Sequence, residues 1–469
     1  MSDEPRGPSR IIIPGGAKPG GLVGLDGRPL STKPVEELPP EERVPTHPRL
    51  RPVELQETQE GGRPLVVLID PSGIAPQALA IAAEAMPLLM MLDGSIALDD
   101  LTEMLSRETG DTRVGANVRT LVEELDKRLF LESPRYEKAR DAARAAYRKE
   151  PVRAAALAGL SYPEDRAELE AFLAAHEEIA RRWKRGEEPA PGVRPEDQRP
   201  APAPGAAPHA LAAPHIDLRR GGPAVARAYL EFEGTPPGTL PEVVFVFGTG
   251  HNMVEEPFAA TAKPFETPLG TVPTDVEVVR ALEEACGPSL TAEEMTHRDE
   301  HSIEFQVIEL ARRFAGHPFR IVPLLCSGFQ GLVRYERRPA DDPRVGKLVA
   351  ALTAQVERLR AAGTRVSFIG GVDLSHVGAR FGDAVDMDEE TLVGVEAKDR
   401  AALAAALEGD AEGWFDAIAA HGDSTRICGF APMYMLLRVA RPSKGRLLAY
   451  ERSVEEAGSV VTYASIAWP

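Results

Sequence analysis

Residues 243–251 of the chain read Val-Val-Phe-Val-Phe-Gly-Thr-Gly-His, an apolar run that ends in glycines and a histidine. A short, continuous apolar run of this kind predicts a buried β-strand over 242–248, with His251 just beyond its end. The string Ala-Ala-Pro-His at 212–215 places a second histidine, His215, after another predicted strand. In open α/β sheets, ligands bind outside the carboxyl ends of the strands. The two histidines therefore predict a site at that edge of a sheet.

Two further segments end in polar residues in the same way. The run 365–370 leads into Asp373 and His376, and Cys428 stands just before a predicted helix at 430–440. Imidazole, carboxylate and thiolate together suit iron, copper or zinc rather than magnesium or calcium. Backbone N–H groups at a helix start favour thiolate, which would make Cys428 a better ligand or nucleophile. A core histidine or a small buried cysteine remains the ordinary alternative at each position.

The segment around His301 favours a site-lining role over a zinc-protease motif. His297 and His301 are four residues apart, but Arg298 stands where that motif needs glutamate. We expect Asp299 near the start of the helix. His301 and Glu304 share one helix face and are candidates to line the site.

The alternation of apolar strands and helices after residue 210 predicts an α/β fold with a central mixed or parallel sheet flanked by helices. The predicted strands are 210–215, 242–248, 319–325, 365–370, 446–451 and 458–466, and the predicted helices are 222–232, 275–286, 301–314, 344–362, 397–407 and 430–440.

The N-terminal part has a different composition. Residues 1–61 are rich in Pro, Gly, Glu and Arg and predict a disordered arm. Residues 62–150 predict a small helical, winged-helix-like domain, which would serve docking, nucleic-acid binding or structure alone. Residues 151–469 form the main domain, with a Pro/Ala-rich insertion at 186–208. Within the small domain we predict a strand at 64–69 and helices at 72–91, 98–107 and 119–129.

The composition excludes several classes of protein. The net charge is -18, with 72 acidic against 54 basic residues, which argues against a general nucleic-acid-binding surface. The three cysteines, Cys286, Cys326 and Cys428, are widely spaced and fit a reducing cytoplasm rather than a disulfide framework. The most apolar stretch, 76–92, contains Glu84 and predicts a buried helix, not a membrane span. No glycine-rich phosphate loop supports a nucleotide cofactor.

Several short segments occur in a fixed order between residues 151 and 469. They are Arg153-Ala154-Ala155, Gly159-Leu160-Ser161-Tyr162-Pro163, Pro214-His215, Gly248 to His251, Thr267-Pro268-Leu269-Gly270, Asp299-Glu300-His301-Ser302-Ile303-Glu304, Asp373-Leu374-Ser375-His376, Ile427-Cys428-Gly429 and residues 459–465. Taken together, these segments resemble the Memo family. Its bacterial branch is the AmmeMemoRadiSam system protein B type, many of whose members carry an N-terminal extension. The resemblance implies a fold similar to the LigB type of class III extradiol dioxygenases.

The resemblance also implies a site and partners. His215, His251 and Cys428 would bind one iron(II) or copper ion. Asp373 and His376 match further family residues near the metal. With His301 they would line the open side as candidate catalytic residues, His376 as a proton shuttle and Asp373 as an orienting group. A radical SAM protein and an AMMECR-type protein are the implied partners, and the substrate would be a small molecule or a peptide.

The sequence departs from the family pattern at two places in the site. Ile216-Asp217-Leu218 replaces the common Ala-Gly-Tyr, and Asn252 replaces a second histidine. A cysteine in place of the dioxygenase carboxylate favours redox or metal-handling roles over ring cleavage. Two other functions stay open: a non-catalytic scaffold that binds a peptide or protein, and a hydrolase that uses Cys428 with His376 or His251 as base.

Overall fold

The chain divides into two compact units, Met1–Lys149 and Glu150–Pro469. The computed structural model describes residues 11–12, 43–197, 199, 205–253, 256–384, 387–455 and 458–469. The predicted arm therefore lies mostly outside the described residues, and so do positions 198 and 200–204 of the predicted insertion.

The first unit contains a four-stranded sheet in the order β1-β4-β3-β2, in which only the β1–β4 pair is parallel. Side chains of the sheet, α2 and α3 form its core, among them Leu68, Leu101 and Leu125. The elements are β1 (Ile11–Ile12), β2 (Glu54–Glu60), β3 (Arg63–Ile69), β4 (Leu79–Ala82), α1 (Met86–Met91), α2 (Leu98–Thr109), α3 (Thr112–Lys127) and α4 (Pro134–Lys149).

The helix predicted at 72–91 is wrong over most of its length. Leu79–Ala82 is strand β4, paired antiparallel with β3, and only Met86–Met91 is α-helical. A short apolar run fits a buried strand or a buried helix equally well, so the sequence pattern alone could not decide. Here Pro87 occupies the first turn of α1, a position where its missing N–H costs nothing.

The end of the predicted arm is also wrong, because β2 lies inside residues 1–61. All seven side chains of β2 are exposed, so the strand has no apolar pattern that could predict it. It forms through pairing with β3 across Gly61 and Gly62, which have φ of 58° and 77°. Two positive φ values suit the tight turn of a hairpin.

The second unit is built on an eight-stranded mixed sheet, which confirms the predicted α/β fold. The order is β12-β14-β5-β11-β6-β10-β7, with β13 paired to β14. Strands β5, β11, β6 and β10 are parallel, whereas β7, β12, β13 and β14 pair antiparallel. The strands are β5 (Ala210–Ala213), β6 (Val243–Thr249), β7 (Phe258–Ala260), β8 (Phe265–Thr267), β9 (Gly270–Val272), β10 (Arg320–Cys326), β11 (Val366–Gly371), β12 (His376–Val377), β13 (Arg446–Val454) and β14 (Val460–Trp468); β8 and β9 form a separate hairpin.

Helices cover both faces of this sheet. In β6, Phe245 and Phe247 pack on one face with α7, α11 and α14, while Val244 and Val246 pack on the other with α5, α6 and α9. Alternate burial on two faces explains the continuous apolar runs of the parallel strands. The helices are α5 (Arg166–Arg185), α6 (Leu218–Tyr229), α7 (Val276–Cys286), α8 (Ser289–Ala292), α9 (His301–Arg313), α10 (Gln330–Arg334), α11 (Pro343–Ala361), α12 (Glu389–Leu407), α13 (Ala411–Ala419) and α14 (Phe430–Ala440).

The described part of the 186–208 insertion is attached to the second unit. The Tyr450 N–H donates to the Pro191 carbonyl at 2.8 Å, and Arg400 Nη2 donates to the Gly192 carbonyl at 2.7 Å. Within the described residues, no helix combines the length and the apolar character needed to cross a membrane.

Candidate metal centre

Three neighbouring parallel strands bring the first candidate residues together. Strand β11 lies between β5 and β6, and Gly371 pairs with both Ala213 and Gly248. The three strands therefore end at the same level. His215, Asp373 and His251 follow these ends within a few residues, which places them at one edge of the sheet.

His215 is fixed by hydrogen bonds on one side of its ring and has its other nitrogen facing Cys428. Its Nδ1 donates to the Gly371 carbonyl at 2.8 Å, which leaves Nε2 unprotonated in the neutral ring. Nε2 lies 3.2 Å from Cys428 Sγ and 3.8 Å from Asp373 Oδ2. Burial lowers the pKa of His215 well below its ordinary value, so the neutral ring is favoured.

His251 is oriented in the same manner by a carboxylate. Its Nδ1 donates to both oxygens of Glu300, at 3.0 and 3.1 Å, and its backbone N–H donates to Glu300 Oε2 at 2.9 Å. Burial disfavours the charged ring, but Glu300 outweighs this and raises the pKa of His251. A carboxylate behind a histidine fixes the ring and increases its basicity as a ligand. Nε2 of His251 is therefore unprotonated in the neutral ring.

Cys428 is held by contacts on both sides of its backbone. Its carbonyl accepts from Thr249 Oγ1 at 2.9 Å, and the next N–H, of Gly429, donates to the Asp373 carbonyl at 3.0 Å. Gly429 is the N-cap of α14, so Cys428 directly precedes the cap. The helix start nevertheless does not produce a low thiol pKa. Burial, together with Asp373 and Glu300, raises the pKa of Cys428 well above its ordinary value, which corrects the expected thiolate bias.

The remaining candidates lie beside these three residues. The ring of His301 stacks on that of His251 at 4.8 Å, and its Nδ1 lies 3.2 Å from Glu300 Oε1. Asp373, His376 and Cys428 form a second group whose ligand atoms lie within 4.8 Å of one another, as do those of His215, His251 and Cys428. The structure thus brings together His215, His251, His301, Asp373, His376 and Cys428, while their chemical roles stay predictions.

Exposure shows which side of the centre is open. The side chains of His215 and Asp373 are 2% and 3% exposed, whereas those of His251 and His301 keep 32% and 35%. A ligand would therefore approach past the two stacked imidazoles.

Burial also shifts the pKa values of the residues beside the proposed ligands. It raises the pKa of Asp373 to about 7, and it lowers the pKa values of His301 and His376 to about 4.

Two other residues of the His301 segment, His297 and the candidate Glu304, lie elsewhere. Buried His297 binds the Ala259 carbonyl through Nε2 at 3.0 Å, an ordinary structural role. The Glu304 carboxylate pairs with Arg153 and accepts from Tyr162 Oη and, at 3.0 Å, from the Leu157 N–H. Glu304 therefore does not line the open site.

The helix start in this segment belongs to Glu300, which sequence reasoning missed. The side chain of Glu300 accepts from Ser302 N and caps α9, whereas Asp299 pairs with Arg298 at the surface. From the sequence, Glu300 could have been recognised as a helix-capping residue, because it directly precedes His301 at the start of α9. Its contact with His251, however, spans 49 positions and could not be read from spacing.

One of the two departures from the family pattern, Ile216-Asp217-Leu218, has a local structural role. Ile216 is buried beside Tyr463 and approaches Gly221 so closely that a Cβ there would lie 2.2 Å from the Ile216 side chain. Asp217 caps α6 by accepting from Arg219 N at 2.8 Å. The carboxylate that the sequence adds next to His215 is therefore engaged in a helix cap.

Comparison with known proteins shows to which family the chain is similar. The model of the Memo-like protein family matches residues 153–467. A MEMO1 family protein of Thermus thermophilus is 30% identical over 308 residues, which cover 66% of this chain and 78% of that protein. A MEMO1 family protein of Aquifex aeolicus is 25% identical over 404 residues, covering 85% of this chain and 95% of its own length. A third, from Methanopyrus kandleri, is 28% identical over 67% of this chain and 98% of its own length. With a family match across nearly the whole second unit, the chain belongs to the Memo family.

Proposed function

We propose that this protein binds one iron(II) or copper ion through His215 Nε2, His251 Nε2 and Cys428 Sγ and uses it in redox-related chemistry. The observation that carries the proposal is the orientation of the two imidazoles. Each Nδ1 is engaged by a fixed acceptor, the Gly371 carbonyl or Glu300, which leaves each Nε2 available as a ligand. One ligand atom each of His215, His251 and Cys428 lie within 4.8 Å of one another. Ligand histidines in metalloproteins are typically held in this way.

The chemistry of the donor set fits such an ion. Two neutral imidazoles and a thiolate suit iron, copper or zinc, and the redox role favours the first two. The thiol of Cys428 has a raised pKa in this buried site, and a bound cation would reverse that preference by stabilising the thiolate. When bound, the ion would supply electron transfer or Lewis-acid activation of a ligand.

The chain's own residues would handle protons beside the ion. Asp373 Oδ1 accepts from the backbone N–H of His215 at 2.9 Å, which holds this carboxyl beside the proposed ligands; before a cation binds, burial raises its pKa to about 7. His376 is held by an Nδ1 hydrogen bond to the Leu374 carbonyl at 3.0 Å, and its low pKa keeps it neutral. Asp373 would orient a ligand or water, His376 would accept and return a proton, and His301 would line the entrance.

The cellular setting is proposed from the family resemblance. A radical SAM protein and an AMMECR-type protein would act with this chain in a modification system, and the cytoplasm suits a thiolate ligand of a reduced metal. The substrate would be a small molecule or peptide that enters past His251 and His301.

Metal analysis of anaerobically purified protein tests the proposal. We expect close to one iron or copper per chain, and loss of that ion in His215→Ala, His251→Ala and Cys428→Ala. Cys286→Ser is the matched control, since Cys286 lies at the end of α7 and is not in the site. Metal at background, or equal metal in the site variants and the control, would overturn the proposal.

A cysteine hydrolase is the second candidate, favoured by the 3.2 Å contact between Cys428 Sγ and His215 Nε2. This geometry makes His215 the partner of the thiol, in place of His376 or His251. Burial opposes the required ion pair, however, because it raises the pKa of Cys428 and lowers that of His215. If iodoacetamide labels Cys428 equally fast with and without added metal, the hydrolase is favoured. Protection by metal favours the metalloprotein.

A further inference from the structure

A buried carboxylate on α12 lies behind the candidate centre and has no role in the proposed chemistry. Asp399 is fully buried, and it accepts hydrogen bonds from three hydroxyls. Ser375 Oγ donates to Oδ1 at 2.6 Å, and Thr462 Oγ1 and Tyr450 Oη donate to Oδ2 at 2.6 and 2.8 Å. Among the described residues, no basic side chain hydrogen-bonds to this carboxylate.

Two of the three donors hold the segment that carries Asp373 and His376. Ser375 lies between those two residues and donates directly to Asp399. Thr462 Oγ1, while donating to Asp399, accepts from the Ser375 N–H at 2.9 Å. The backbone of Thr462 also pairs with Leu374 and Ser375, at 2.8 and 2.9 Å. Asp399 thus fixes both the side chain and the N–H of Ser375.

The fixed segment in turn connects to two candidate ligands. Asp373 Oδ1 accepts from the His215 N–H at 2.9 Å, and the Asp373 carbonyl accepts from the Gly429 N–H at 3.0 Å, next to Cys428. On its other side, the His376 N–H donates to the Thr425 carbonyl at 2.7 Å. A shift of this segment would therefore move His215 and Cys428 relative to each other.

We propose that Asp399 is a positioning residue of the metal centre, acting through Ser375 and Thr462 on the segment from Asp373 to His376. The inference rests on the proposed metal-binding function, which it deepens. The third donor, Tyr450, lies on β13 and does not hold the segment. Loss of its hydroxyl therefore removes one hydrogen bond to Asp399 and leaves the connection to the centre intact.

The test compares Asp399→Asn and Ser375→Ala with the matched control Tyr450→Phe in the full-length protein. Iron(II) and copper(I) affinity is measured anaerobically by competition with a chromogenic chelator, and circular dichroism checks folding. We expect Asp399→Asn and Ser375→Ala to weaken binding by about 10–100-fold, as for residues that orient metal ligands. Tyr450→Phe should bind nearly as the unmodified chain does. In the double variant, the losses of metal affinity from Asp399→Asn and Ser375→Ala should not add up, because both substitutions remove the same hydrogen bond between Ser375 and Asp399.

A second readout needs no metal. The rate at which iodoacetamide modifies Cys428 in the metal-free protein is followed by peptide mass spectrometry, with Cys286 as internal reference. We expect Cys428 to react several times faster in Asp399→Asn and Ser375→Ala, and at the ordinary rate in Tyr450→Phe. If the unmodified chain binds no metal, the proposed function fails, and this rate alone decides the role of Asp399.

The proposal is overturned if Asp399→Asn and Ser375→Ala leave both metal affinity and the Cys428 rate unchanged. It is also overturned if Tyr450→Phe changes the metal affinity and the Cys428 rate as much as Ser375→Ala does. In that case the Asp399 carboxylate would only stabilise the fold. Should Asp399→Asn fail to fold, Ser375→Ala against Tyr450→Phe still makes the comparison.

Discussion

Nδ1 of His251 and the carboxylate of Glu300 lie 3.0 Å apart, although the two residues come from different elements of the chain. The same carboxylate caps α9 and contacts His301. One buried acid therefore fixes the orientation of a candidate ligand, the start of a helix and the stacked imidazole at the entrance.

Glu300→Gln should weaken metal binding without removing it. Glutamine keeps the size of the side chain but lacks the charge that holds His251, so we expect a loss of about 10–100-fold in affinity. Chelator competition under anaerobic conditions measures this. Asp299→Asn is the control, because Asp299 is the adjacent carboxylate and is surface-exposed. Equal affinities for the two variants would show that the carboxylate behind His251 has no effect on the metal.

Glu304→Gln should destabilise the second unit. Arg153 and Glu304 form a fully buried ion pair, with side chains 0% and 1% exposed, and the change leaves Arg153 without its counter-charge. Breaking such a pair costs about 3–5 kcal/mol. Denaturant unfolding followed by tryptophan fluorescence measures the loss for this unit, since Trp183, Trp414 and Trp468 all belong to it. A single variant as stable as the unmodified protein would contradict the expectation.

The stability of the metal-free protein should depend on pH through Asp399. Burial raises the pKa of the Asp399 carboxyl from 3.8 to about 6. Between these two pH values, the folded chain holds a proton that the unfolded chain has released. Its contribution to stability is complete below pH 3.8 and is lost as the pH rises through about 6. The difference between the two pKa values corresponds to about 3 kcal/mol.

Comparison with Asp399→Asn isolates this contribution, because asparagine does not titrate. Between pH 4 and pH 7, the unmodified chain should lose stability relative to the variant by roughly that 3 kcal/mol. Tryptophan-detected unfolding at several pH values provides the measurement. A stability difference that stays constant with pH would rule out a raised pKa at Asp399.

Gly429→Ala should damage both the fold and the centre. A Cβ at Gly429 would lie 2.5 Å from the Asp373 carbonyl oxygen, and this backbone atom cannot move aside without moving the site. We expect a loss of about 1–3 kcal/mol in stability, as for other overpacked positions, together with weaker metal binding.

Gly394→Ala is the matched control for that substitution. Gly394 lies within α12 and a Cβ there meets nothing within 4 Å. Alanine should therefore stabilise the helix by about 0.5–1 kcal/mol. If the two substitutions had the same effect on stability, close contact at Gly429 would not be the cause.

Much of the second unit could be predicted from local pattern. The parallel strands are buried on both faces, so each appears as a continuous apolar run, and the polar residues after the runs mark the edge where ligands bind. Strand β2 and the β4 segment show the limit, because an exposed strand has no apolar pattern and a short apolar run fits either kind of element.

The sequence by itself determined the α/β class, and it indicated the six residues that the structure brings together, because these depend on residue type and short spacing. Only the tertiary structure decided that Glu300 contacts His251, that Glu304 belongs to a buried ion pair and that Asp399 accepts from Ser375, in the segment from Asp373 to His376. It also decided the pKa of the Cys428 thiol, since burial and two carboxylates outweigh the helix start. These contacts join residues far apart in the chain, and their strength depends on exclusion of water, which no local pattern records.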